Sequence, residues 1–139
     1  MSAAPELAQL ARQIPAQPGS LTIGTLAREL RLLASHPERW WGRAAYHPDR
    51  SEKMDLEFTA AGITAWMMVL APGDPGRYCD CDVMMLVAGD AIEESVADGG
   101  AVSTTLRAGR ARVHGQGQVH QIRANSKGFA ITLHVRGSA

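Results

Sequence analysis

The sequence predicts a mainly β fold, one small antiparallel barrel or sandwich preceded by short helices. Three observations carry this. From Met54 to Val135 the chain breaks into eight short apolar runs, each bounded by Gly, Asp, Asn or Pro turn signals. So many short strands at close spacing pack as a sandwich or closed barrel. Helical periodicity is confined to the residues before them. With 139 residues, 45% apolar and 20% charged, the chain is the size of one domain and can bury a core.

Taken in order, residues 1–19 read as a loosely docked arm. A turn or two of helix at Ala4–Arg12 is ended by Pro15 and by Pro18-Gly19-Ser20. Residues 20–42 form a helical lead-in, with Leu26, Leu30 and Leu33 at helical spacing and Arg28, Glu29 and Arg31 turned outward. Thr22 or Thr25 caps this helix and His36-Pro37 stops it. One further short turn, Pro37–Trp41, lays Trp40 and Trp41 on the domain. The barrel occupies 50–136. Its strands are expected at Met54–Phe58, Ile63–Leu70, Val83–Val87, Ala91–Val96, Val102–Leu106, Ala111–His114, Val119–Arg123 and Phe129–Val135.

Charge and cysteine usage narrow the partners. Fourteen basic residues balance fourteen acidic ones, so the electrostatic footprint of a nucleic-acid binder is missing. The densest cations, Arg107, Arg110 and Arg112, read as a solvated strand edge. No run of about 18 apolar residues is present to span a bilayer. The N-terminus shows no basic start before an apolar stretch, so a cytoplasmic protein is expected. Cys79 and Cys81 are one residue apart, too tight for an unstrained disulfide. On a strand both face the same side, as ligands do, and a reduced setting follows.

Two spaced motifs run through the strands. Gly73 is followed by five residues and then Cys79-Asp80-Cys81, leading into a hydrophobic strand that ends at Gly89. Gly109 is followed by five residues, Gly115-Gln116-Gly117, two residues and His120, with Asn125 one place late. These resemble the two cupin signatures, Gly–His-x-His–Glu–Gly and Gly–Pro-x-Gly–His–Asn, with both first-motif histidines and the proline replaced. Three further segments resemble the cysteine dioxygenase-like (thiol dioxygenase) cupins: the lead-in helix with His36-Pro37-Glu38-Arg39-Trp40, the strand Trp66–Gly73, and the closing strand Ala130–Arg136. The resemblance covers roughly 20–136 and implies a jelly-roll-type cupin barrel.

The resemblance implies iron(II) held by three neutral histidines beside a thiol substrate. His120 is the counterpart of the third histidine. Cys79 and Cys81 fall on the first two, or, in an alternative alignment, Pro75-Gly76-Arg77 stand opposite them. Two thiolates and an imidazole suit zinc or copper(I) better than iron. The family's substrate-anchoring arginine is missing from Met54–Phe58, and Arg136 stands where its tyrosine normally does, a relocated anchor for a substrate carboxylate. Thr132 and His134 keep the hydroxyl and imidazole of the closing strand as catalytic candidates, and Trp66 is a candidate to line the barrel mouth.

Two functions follow from different classes. One is a divergent metal-dependent oxidoreductase acting on a small thiol or related metabolite. The other is a non-catalytic cupin that binds a small ligand or a protein partner in a metal-free barrel. Cupins commonly pair through exposed strands, which suggests a homodimer. The plainer roles stand beside these: Cys79 and Cys81 as small buried hydrophobes, His114 at a strand end out of register with the other histidines, His36 and His47 at the surface, and the methionines as core filler.

Overall fold

The computed structural model describes residues 21–57, 61–97, 99–114, 120–125 and 127–137. The N-terminal arm and the Gly115–Gly117 turn expected from the sequence lie outside the described residues. Helix α1 spans Ile23–Ala34. It starts where it does because Thr22 accepts a hydrogen bond from the Thr25 amide at 3.1 Å, satisfying a donor the helix itself cannot. Leu26, Leu30 and Leu33 form its buried stripe. Two single 3₁₀ turns follow, Pro37–Arg39 and Trp41–Arg43. Trp40, between them, is buried and donates its indole N–H to the Leu33 carbonyl at 2.9 Å, tying the turn to the helix end. Trp41 stays exposed.

Among the described residues nine strands follow: β1 Glu52–Leu56, β2 Ile63–Leu70, β3 Arg77–Cys79, β4 Val83–Ala88, β5 Ala91–Ala97, β6 Gly100–Thr105, β7 Ala111–Val113, β8 His120–Ala124 and β9 Ala130–Gly137. They form two antiparallel sheets, ordered β1-β2-β9-β4-β7 and β3-β8-β5-β6. The first strand begins at Glu52, earlier than the expected Met54. Strand β3 was not expected, because Arg77-Tyr78-Cys79 exposes two of its three residues and carries no apolar run.

Period-two alternation sorts the first sheet into two cores. Ala65, Met67 and Val69 of β2, Val83 and Met85 of β4, and Ile131, Leu133 and Val135 of β9 pack beneath α1. Trp66, Met68, Leu70, Met84, Leu86 and Ala130 point the other way, between the sheets, where they meet Ile122 and Ala124 of β8 and Ala91 of β5. A sheet buried on both faces explains why β2, β4 and β9 read as nearly continuous apolar runs. The methionine pairs Met67/Met68 and Met84/Met85 divide between the two cores as alternation requires. The tight β4–β5 connection turns on Gly89, with φ of 76°. A Cβ there would strike the Phe129 carbonyl, so only glycine fits.

Candidate metal centre

Between the sheets the inward positions of β3, β5, β8 and β9 converge on a polar cluster. Cys79 is the last residue of β3, and register places it directly across from His120, the first residue of β8. His120 is in turn opposite Ser95 of β5, so Glu93, two residues earlier on β5, shares that inward face. On the facing sheet Thr132 and His134 of β9 point inward and are fully buried.

Cys81 lies in the β3–β4 connection, which Asp82 fastens down. The Asp82 amide donates to the Val135 carbonyl at 3.0 Å, its carboxylate accepts from the Gly137 amide at 2.8 Å, and its carbonyl accepts from the His114 amide at 2.9 Å. That last bond corrects the expectation for His114. Strand β7 ends at Val113, so His114 does stand at a strand end, but it turns inward and is buried against His120 instead of lying out of register with the other histidines.

The cluster is tightly spaced. The two sulfurs are 2.9 Å apart, and His134 Nδ1 lies 3.2 Å from Cys79 Sγ and 3.4 Å from Cys81 Sγ. His114 Nδ1 lies 3.4 Å from Cys81 Sγ, while its Nε2 makes a very short hydrogen bond with Glu93. Arg112 Nη2 holds the other Glu93 oxygen at 2.6 Å. Thr132 Oγ1 is 2.8 Å from His134 Nε2. The His120 ring stacks on His114 with centroids 3.8 Å apart.

Among the described residues, Cys79, Cys81 and His114 lie within 4.8 Å of one another, and so do Glu93, His114 and His120. The sequence expectation joined Cys79, Cys81 and His120 in one set; His114 belongs both to the trio with the cysteines and to the trio with Glu93 and His120. Arg77, from the alternative alignment, is turned away, with its guanidinium on Asp74 and on the Ser51 carbonyl.

Charge is distributed sharply here. The hydrogen bond from Cys81, helped by those from His114 and His134, outweighs burial and drives the Cys79 thiol well below its usual range. The same contact, with burial and the nearby Cys79, Asp82 and Glu93 charges, pushes Cys81 up, so the pair keeps one proton. Burial would raise Glu93, but His114 and Arg112 hold it down to about 2. Burial would lower His114, but its hydrogen bonds to Cys79 and Glu93 win and raise it to about 9. His120 is pushed below its ordinary value by burial and by the His114 charge. It is therefore neutral, the form that binds metal.

His120 is also the telling residue for a metal. It is only 5% exposed, and neither ring nitrogen has a hydrogen-bond partner among the described residues. Its Nδ1 is 3.8 Å from Glu93, beyond hydrogen-bond reach. A buried imidazole with two free nitrogens costs stability unless something coordinates it. The donor set fits a cation: two imidazoles and a carboxylate form the facial set of non-heme iron(II) sites and also suit zinc.

At the rim, Trp66 stacks in parallel on His134 with centroids 5.4 Å apart. Lys53 Nζ sits 4.8 Å and the Arg136 guanidinium 5.5 Å from the indole centroid. Arg136 also pairs with Asp80 at 2.9 Å, so its charge is already engaged. A cleft of about 340 Å³, lined by Lys53, Met68, Gly76, Arg77 and Tyr78, opens beside this rim.

Sequence reading missed Glu93 and His114 as donors. Glu93 had a signal, since of the adjacent Glu93 and Glu94 one had to face inward, and the side shared with Ala91 is the buried one. His114 had none, because a tertiary bond to Asp82 turns it in.

The two antiparallel sheets, with α1 against the first, make a jelly-roll-type β-barrel of the cupin fold. Solved structures agree on the fold. A cupin superfamily protein from Desulfitobacterium hafniense DCB-2 is similar over 73% of this chain and 89% of its own, at 11% identity and TM-score 0.54. Oxalate oxidase in complex with the substrate analogue glycolate matches over 66% of this chain and 53% of its own, at 17% identity and TM-score 0.52. Fe(II) HppE in complex with substrate matches over 67% and 57%, at 12% identity and TM-score 0.52. This chain thus spans little more than half the length of the latter two. No family model and no curated protein sequence matches the chain.

Proposed function

We propose that this cupin is a metal-dependent oxidoreductase acting on a small anionic metabolite, with Glu93, His114 and His120 as the metal ligands. The observation that carries the reading is the buried His120 imidazole, without a hydrogen-bond partner among the described residues, beside Glu93 and His114. The similarity in fold to an oxalate oxidase and to Fe(II) HppE supports redox chemistry on a small molecule. Glu93, His114 and His120 would hold a divalent ion, iron(II) first among candidates, and would leave coordination positions open to oxygen and substrate.

The chain's own residues do the rest. Lys53 and Arg77 line the cleft and attract an anion toward the rim. Lys53 is the better anchor, since Arg77 is paired with Asp74 and Arg136 with Asp80. Thr132 positions His134 by holding its Nε2, so that Nδ1 faces the Cys79 sulfur. A small thiol or a small carboxylate is the substrate class this interior suits.

Elemental analysis of protein purified without added metal or chelator tests the proposal. His120→Ala and Glu93→Gln should each lose about one equivalent of transition metal relative to the wild type. Oxygen uptake with small thiols and carboxylates should then be seen only in metal-loaded wild type. Equal metal content in all three proteins would overturn the ligand assignment. A wild type with no metal, and none taken up on titration, would return the protein to ligand binding in a metal-free barrel.

A further inference from the structure

The Glu93–His114–His120 set leaves two sulfurs and a third imidazole unused on the opposite side of His114. From their geometry we infer a second, soft-metal position built by Cys79 Sγ, Cys81 Sγ, His114 Nδ1 and His134 Nδ1, taking zinc or copper(I). It rests on the reading above only in sharing His114.

A tetrahedral zinc ion with ordinary bond lengths sets its ligand sulfurs about 3.8 Å apart and a sulfur and a nitrogen about 3.5 Å apart. The observed sulfur–nitrogen spacings, 3.2 Å for Cys79–His134 and 3.4 Å for both Cys81–His134 and Cys81–His114, already sit close to that. The sulfurs, at 2.9 Å, must separate by about 0.9 Å, a small rotation of two short side chains. Sulfur donors select soft ions, whereas the carboxylate side suits a harder one, so the two positions are chemically distinct.

Both imidazoles are held from behind. Glu93 grips His114 at Nε2, and Thr132 grips His134 at Nε2, so each ring aims Nδ1 at the sulfurs. Such outer partners orient the ring of a metal-bound histidine. His114 presents one nitrogen to each position and would join both ions once its two ring protons are released.

Cobalt(II) titration of the full chain reads the two positions separately, because cobalt bound by thiolate shows a sulfur-to-metal charge-transfer band in the near ultraviolet. Wild type should bind about two equivalents, one carrying the band. Cys79→Ser with Cys81→Ser should lose the band and about one equivalent while keeping its circular dichroism. His120→Ala should keep the band and lose the other equivalent. Saturation without a band would overturn the sulfur site, whatever becomes of the carboxylate site. A band with one equivalent that His120→Ala leaves unchanged would uphold the sulfur site and overturn the Glu93–His114–His120 assignment instead.

Discussion

Replacing His120 by leucine should stabilise the metal-free protein. The imidazole is buried, stacks on an already charged His114, and carries two nitrogens without hydrogen bonds among the described residues. Each unmet polar atom in such a place costs about 1–3 kcal/mol, and leucine removes both within a similar volume. Part of the gain is returned as lost ring stacking, so a net of about 1–3 kcal/mol is expected. For a chain of 139 residues, unfolding entropy converts each kcal/mol to about 3 °C, hence a rise of about 3–9 °C. Differential scanning calorimetry on chelator-treated samples gives the comparison. Adding iron(II) anaerobically or zinc should reverse the order, because a ligand at about 1,000 times its dissociation constant stabilises the wild type by about 4 kcal/mol. A lower Tm for chelator-treated His120→Leu than for wild type would refute the reasoning, since it would mean the imidazole already has a partner.

Other expectations are simpler. Asp74 is mostly buried; burial would raise its carboxyl, but amides of Gly76 and Ser51 and the Arg77 charge hold it below its usual value of 3.8. A depressed carboxylate contributes stability above the unfolded-state pKa and loses it as pH falls. Asp74→Asn should therefore cost about 1–2 kcal/mol at pH 7, with the gap closing below that value in urea melts. Leu30→Ala, at a fully buried position under the first sheet, should cost about 3–4 kcal/mol in the same melts. Lys53→Met should raise KM for an anionic substrate roughly tenfold with little change in kcat, because it removes attraction at the cleft and not chemistry. A kcat loss without a KM change would contradict that placement.

How far the sequence spoke depended on whether a residue's place is set by local pattern or by tertiary contact. Met67/Met68 and Met84/Met85 were separable by alternation alone, because period two is a property of the strand itself. The helix start was legible from Thr22 for the same local reason. Strand β3 was not: Tyr78 is 75% exposed and the segment pairs with β8 without an apolar pattern. Its partner His120 could be placed from spacing, while its neighbour His114 could not. His114 is turned inward by a bond to Asp82, thirty-two positions away in sequence, and no local rule encodes that contact. The adjacent carboxylates Glu93 and Glu94 fall between these cases, since alternation with Ala91 turns Glu93 inward but only the β5–β8 register says that imidazoles are what it meets.

The parallel stack of Trp66 on His134 has an optical consequence. Of the three tryptophans, Trp41 is solvent-exposed and Trp40 is sealed behind α1, whereas the Trp66 indole lies in van der Waals register with a ring beside the sulfurs. Electron transfer from an excited indole to a neighbouring imidazole depends steeply on that ring's charge and coordination. Emission from Trp66 is thus a native gauge of His134, and a protein with Trp40 and Trp41 changed to phenylalanine would report every event at this ring without an added label.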